Sequence, residues 1–107
     1  MRLTRGSGNV FADLGLPQAE ERLLKARLAS RIARIISDRG LAQREAAKIM
    51  GIDQPKVSRL LHGRLAGFSA ERLMTWLTAL GQDVDIIVRR ARRHRAGRLR
   101  VQVLAAD

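Results

Sequence analysis

The segment that most constrains this chain is "QREAAKIMGIDQPKVSRLL", Gln43 to Leu61, in which two short helical patterns meet at Gly51. Helices joined by a turn of three or four residues cross at a steep angle. The crossing needs a small residue on the first helix, which Ala47 supplies, and a turn residue that tolerates positive φ, which Gly51 supplies. Apolar residues must then pin both helices to a core, and they occur at fitting offsets: Ile49 or Met50, Ile52, Val57 and Leu60. The pattern predicts two short, steeply crossed helices.

Four helical patterns in the chain each stop at a glycine, and these are Gly40, Gly51, Gly63 and Gly81. Glycine is the residue that best accepts the left-handed position after a helix. The first pattern predicts a helix from about Gln18 to Arg39, with Pro17 at its start. The fourth has Ser69 as N-cap and a hydrophobic staple between Phe68 and Leu73. These patterns predict a mostly α fold, a bundle of four to five helices, with residues 17–81 as its helical domain.

Beyond Gly81 the apolar period changes from 3.6 to 2, because Val84, Ile86 and Val88 alternate with other residues. A weaker alternation follows at 99–103. We therefore expect a small C-terminal β-strand or hairpin over residues 82–107, with an arginine-rich loop. A lone two-stranded hairpin is marginal in water, so a second copy of the chain is the simplest partner for these strands. Pairing within one chain stays open. Residues 1–16 are expected to form a flexible N-terminal arm.

The chain is strongly basic, with 21 Lys and Arg against 10 Asp and Glu, or +11. Seven of the arginines lie in "RRARRHRAGRLR", residues 89–100, and without this run the body carries only 14 basic and 10 acidic residues. This balance favours a polyanionic partner, nucleic acid first and an acidic membrane or protein second. The alternative is that the run only keeps the protein in solution.

Several function classes are disfavoured by composition. The chain has no cysteine, so a disulfide framework or thiolate metal site is excluded, as suits the cytoplasm. No apolar run approaches the roughly 18 residues of a membrane span. His62 and His94 are isolated, and no Ser-His-Asp arrangement is available. We expect no enzymatic activity, no metal and no cofactor.

The residues Ala47, Gly51, Ile52, Val57 and Leu60 resemble the pattern of the Cro/Xre (lambda-repressor-like) helix-turn-helix family. Over about 9–90 the chain is most similar to the HigA-type antitoxins of bacterial toxin–antitoxin modules. The resemblance implies a lambda-repressor-like helix-turn-helix fold that binds DNA. It also implies that the second helix of the unit enters the major groove with its N-terminal end.

The second helix of the unit has a polar face opposite Val57 and Leu60. Asp53 is its predicted N-cap, and the exposed face is expected to hold Gln54, Pro55, Lys56, Ser58 and Arg59. Gln can bond adenine through N6 and N7, and Arg can bond guanine through O6 and N7. We therefore expect Gln54 and Arg59 to read bases, with Ser58 and Lys56 assisting.

The remaining candidate contacts lie at the edges of the unit. Gln43 resembles the family's phosphate-clamping glutamine, and Arg44 and Arg64 are candidate phosphate contacts. Two residues depart from the family pattern. Ala42 replaces the usual Thr N-cap while Glu45 remains, which should cost about 1 kcal/mol. Pro55 replaces a small polar residue, which weakens direct base readout there.

The sequence therefore predicts a dimeric DNA-binding regulator on a palindromic operator, and the resemblance adds an antitoxin that binds a RelE-like toxin and represses its own operon. Residues 10–17, "VFADLGLP", are the candidate toxin or intersubunit contact, or they pack on the first helix. The alternatives are a free-standing regulator, and a toxin-capture module whose contacts are Asp13, Glu20 and Glu21. A further alternative is non-specific nucleic-acid binding through the arginine run.

Overall fold

A computed structural model of the chain describes residues 18–92 and 96–104. This part holds four α-helices: α1 Gln18–Asp38, α2 Gln43–Met50, α3 Gln54–Leu61 and α4 Ala70–Ala79. Their bounds agree with the sequence prediction to within one residue at each end, and the mostly α fold is confirmed. The predicted N-terminal arm lies outside the described residues.

Helix α1 is the longest element and forms the back of the core. Its apolar stripe is buried, namely Leu24, Leu28, Ala29, Ile32, Ile35 and Ile36. It packs against α3 and α4, and α2 packs against α3 and α4. The most deeply buried large side chains come from three helices: Ile32 of α1, Val57 and Leu60 of α3, and Leu73 of α4. Helix α3 is therefore fixed by one face, and its other face stays free.

The start of α4 has the predicted cap and staple. The Ser69 hydroxyl accepts a hydrogen bond from the Arg72 N–H at 3.2 Å. Phe68 and Leu73, the two staple residues, are 2% and 0% exposed. Phe68 also meets Trp76 edge to face, with 5.3 Å between ring centroids and 85° between ring planes. This aromatic pair joins the loop before α4 to the helix itself.

The predicted C-terminal strand or hairpin is not confirmed. Between 82 and 104, outside 93–95, the chain forms no strand within a single copy. Leu99 and Val101 lie instead against α1, where they share a shallow groove with Leu23 and Leu24. Residues 99–103 form no ladder with 84–88. A strand needs a partner, and no segment of residues 18–92 or 96–104 pairs with 82–90 as a strand.

Candidate nucleic-acid interface

Two adjacent alanines allow α2 and α3 to approach each other. Ala47, the small residue predicted at the helix crossing, is 6% exposed. Ala46, which was not predicted to lie there, is fully buried. Two consecutive alanines in the sequence could have indicated that both are buried, but the helix-turn-helix pattern requires only one small residue. The choice between Ile49 and Met50 is also settled, because Met50 is 6% exposed and Ile49 is 37% exposed.

The turn between α2 and α3 depends on Gly51. Its backbone is left-handed, with φ 72° and ψ 32°. Its N–H donates to the Lys48 carbonyl at 3.3 Å, and the Ile52 N–H donates to the Ala47 carbonyl at 3.1 Å. A Cβ at Gly51 would meet no atom within 4 Å. The requirement for glycine therefore comes from backbone conformation and not from space.

Asp53 caps α3, as the sequence predicts. Its Oδ1 accepts a hydrogen bond from the Lys56 N–H at 2.9 Å, and Pro55 lies in the first turn. The Lys56 side chain returns to the same carboxylate, with 3.5 Å between Nζ and Oδ2. Lys56 is thus partly neutralised by its own cap, so a DNA phosphate would have to compete with Asp53 for its ammonium group.

The free face of α3 carries most of the predicted contact residues. Gln54, Pro55 and Arg59 are exposed and Ser58 is half-buried. Val57 and Leu60, on the opposite side, are 0% and 2% exposed. Polar groups thus cover the outward face of a helix whose inward face is locked into the core.

Arg59 differs from its neighbours on this face because its side chain is already engaged. Its Nη2 donates to the Ala66 carbonyl at 2.8 Å, and its Cζ lies 4.7 Å from the centroid of the Phe68 ring. To bond a guanine edge with both ends of its guanidinium, Arg59 would have to leave these two partners.

The other predicted contacts lie where the sequence places them. Gln43 is the half-buried first residue of α2, and Arg44 follows it, exposed. Arg64 is exposed on the α3–α4 loop. The missing half of the α2 capping box is confirmed: Glu45 Oε1 accepts the Ala42 N–H at 2.9 Å, while Ala42 has no side-chain acceptor.

The described residues give no other chemistry to this site. Among them, no group of three or more His, Cys, Asp or Glu side chains could hold a metal ion. No helix of the described ranges is long and apolar enough to cross a membrane.

Comparison with known proteins agrees with this geometry. A family model described as a helix-turn-helix domain matches residues 10–89. A solved structure of a protein named an XRE family transcriptional regulator is 51% identical and superposes with a TM-score of 0.74. That alignment covers 84% of this chain and all of the other. No curated protein matches the chain.

Proposed function

The chain belongs to the Cro/Xre family of helix-turn-helix transcriptional regulators, and we propose that it represses transcription in the cytoplasm by binding a palindromic operator as a homodimer. The observation that carries the proposal is the free face of α3. A DNA-reading helix must be rigid on one side and polar on the other, and α3 combines buried Val57 and Leu60 with exposed Gln54.

The proposed interface divides into base contacts and phosphate contacts. Gln54 and Ser58 are one turn apart on α3, so both reach the same stretch of major groove. Lys56 assists beside them, and Pro55 offers the bases an apolar contact only. Gln43, Arg44 and Arg64 flank α3 and bind the phosphates on either side, which fixes the orientation of α3 without carrying sequence information.

The DNA proposal is tested by selecting an operator from random duplexes with the native chain and then measuring affinity for Gln54→Ala. We expect about a tenfold or greater loss on the operator and a flattened preference at one base pair. Gln18→Ala is the matched control, since Gln18 is likewise exposed at the first position of a helix. An unchanged base preference in Gln54→Ala, or failure to select any operator, would contradict the proposal.

The proposed dimer forms through the segment 82–90, which would pair as a strand with its copy in the partner. Ile86, Ile87 and Val88 are 41%, 77% and 47% exposed, an apolar run that a second strand would cover. The segment is also charge-complementary to itself, with acidic residues at its start and arginines at its end. An antiparallel pair centred on Ile86 sets Val84 opposite the partner's Val88. It also sets Asp83 opposite the partner's Arg89, so both hydrophobic and charged pairs are satisfied.

This register can be tested directly because the chain contains no cysteine. In the pair centred on Ile86, the two copies of Ile86→Cys face each other at a separation close to that of a disulfide. Ile87→Cys is the matched control, because the partner's Asp85 lies opposite it. We expect mild oxidation to crosslink the first variant and not the second. A crosslink at 87 alone would overturn the register, and none at either position would overturn the strand-paired dimer.

Dimerisation matters for operator recognition because each half of a palindrome needs its own reading helix. Two α3 helices about 34 Å apart would meet the major groove on one side of the duplex. Exposed arginines end the paired segment and continue beyond it, at positions 90, 92, 98 and 100. Phosphate attraction by these residues would add affinity without sequence preference, and would make binding fall steeply with salt.

The antitoxin role extends the proposal through the resemblance to HigA-type proteins. The supporting surface is the N-terminal part of α1, where Leu23 is 54% exposed and lines a groove with Glu20 and Arg27. Glu21 is less available for a basic toxin, since Lys25 lies 3.8 Å from its carboxylate. Co-expression with the product of an adjacent small reading frame tests this role. A stable complex weakened by Leu23→Ser supports it, and its absence leaves a free-standing regulator.

A further inference from the structure

Arg59 of α3 holds the loop that follows the helix at two points. Its backbone carbonyl accepts the Arg64 N–H at 2.9 Å. Its side chain donates to the Ala66 carbonyl at 2.8 Å. One residue in the last turn of α3 therefore bonds both ends of the segment 64–66. The first bond uses only the main chain, and the second depends on the arginine side chain.

The guanidinium of Arg59 also closes an aromatic stack. It lies over Phe68, and Phe68 meets Trp76 edge to face. Arg72 lies over the Trp76 ring, with Cζ 5.1 Å from its centroid. The two arginines thus flank the aromatic pair, but they start from different helices. Arg59 ties α3 to the stack, whereas Arg72 ties α4 to itself.

The turn beside this stack lies next to the Arg59 guanidinium. Gly67 has φ +86°, and a Cβ there would lie 3.7 Å from Arg59 Nη2. The Phe68 N–H donates to the Leu65 carbonyl at 3.1 Å, which folds the loop back beneath the guanidinium. The ring of Phe68 is 2% exposed, so the surface on which the guanidinium rests belongs to the core.

We infer that Arg59 is a positioning residue and not a base reader: it locks the C-terminal end of the recognition helix to the loop that carries Arg64. The inference rests on the proposed DNA function and revises the role expected for Arg59 from its sequence position. Arg64 is the phosphate contact that this lock holds in register with α3. The base reading then falls to Gln54 and Ser58.

A reader and a positioning residue differ in what their loss does to DNA binding. Loss of a reader flattens the preference at one base pair and leaves the rest of the operator unchanged. Loss of a positioning residue weakens binding to every sequence by the same factor, since phosphate contacts carry no sequence information. Arg59→Lys separates the roles further. Lysine keeps the cation over Phe68 but loses the planar fork that recognises guanine.

The experiment measures affinity for the selected operator and all its single-base-pair variants, using the native chain, Arg59→Ala, Arg59→Lys and Arg64→Ala. We expect Arg59→Ala to bind all of these DNAs about tenfold more weakly with an unchanged base preference. Arg59→Lys should recover part of that loss. Arg64→Ala should lower operator affinity less in the Arg59→Ala background than in the native chain.

Arg72→Ala is the matched control, because it removes the same charge and the same kind of ring contact from the same aromatic pair. We expect it to lower operator affinity by much less than Arg59→Ala. If Arg59→Ala or Arg59→Lys abolished preference at one base pair, Arg59 would be a reader. If Arg72→Ala were as damaging as Arg59→Ala, the lock between α3 and its loop would have no special role.

A measurement without DNA keeps the inference distinct from the proposed function. Amide hydrogen exchange at Arg64 and Phe68 in the free protein should accelerate in Arg59→Ala and stay near native in Arg72→Ala. Unchanged exchange in Arg59→Ala would overturn the lock even if the chain bound its operator well. Conversely, if exchange accelerated in Arg59→Ala but the native chain selected no operator, the inferred role of Arg59 in holding the loop would stand and the DNA function would be refuted.

Discussion

The helical body and the C-terminal segment use similar apolar residues with opposite results. Ile32 in α1 is 0% exposed, whereas Ile87 in the C-terminal segment 82–90 is 77% exposed. A helix can bury its stripe against other helices of the same chain, but a strand must also find partners for its backbone groups. The body therefore buries its apolar stripes within one copy, whereas the segment 82–90 leaves Ile86, Ile87 and Val88 exposed among the described residues.

The largest effect on stability should come from comparing alanine substitutions at Ile32 and Ile87. We expect Ile32→Ala to lower the free energy of unfolding by about 3 kcal/mol, because it opens a cavity in a close-packed core. Ile87→Ala should leave monomer stability within about 0.5 kcal/mol of native. Chemical denaturation at concentrations that keep the chain monomeric measures both. Equal losses would mean that the segment belongs to the body's core.

Charge reversal tests whether the segment's own pattern chooses its partner. Asp83→Arg places like charges at two symmetry-related positions of the proposed pair, so dimer affinity should fall about tenfold. Combining it with Arg89→Asp should restore most of that affinity. Sedimentation at low salt measures the dimer constant. A double variant as weak as the single one would contradict the antiparallel register.

Within the body, substitutions at Gly51 test whether a side chain is disfavoured there by the left-handed backbone or by steric contact. Gly51→Ala should cost about 1 kcal/mol of stability, since only the left-handed backbone disfavours a side chain there. Gly51→Asn should cost less, because asparagine enters this region more readily. Thermal unfolding of both variants provides the check. A loss of several kcal/mol in either one would indicate a steric conflict that the open space around Gly51 does not predict.

The smallest effect should be a gain at the start of α2. Ala42→Ser supplies the missing half of the capping box, and we expect about 0.5–1 kcal/mol of added stability. The readout is the denaturation midpoint, with Ala42→Ser in a Glu45→Ala background as control. The gain should shrink there, because the reciprocal half of the box is absent.

The helices and the exposed face of α3 were predictable because their signals are local. Terminal glycines, Ser69, Asp53 and the apolar stripe of α1 act through neighbouring residues, so the sequence specifies them without knowledge of distant contacts. The same locality explains why Gln54 could be placed on an exposed face from spacing alone.

What the sequence could not provide depends on contacts between distant segments. Arg59 has the right residue type and position for a base reader, and only the folded loop brings Ala66 and Phe68 to its guanidinium. Leu99 and Val101 alternate like a strand, yet they lie against α1. A period-2 pattern records which side chains are apolar and does not record what covers them.

By itself, the sequence determined four helices, their ends, the turn at Gly51 and the polar face of α3, because hydrogen bonds within a helix and its caps are satisfied by residues close in the chain. Only the tertiary structure decided that the Arg59 side chain bonds the Ala66 carbonyl, that Leu99 and Val101 lie against α1, and that 82–90 forms no strand with any described residue. These contacts join segments that are distant in the sequence, so they exist only once the chain has folded.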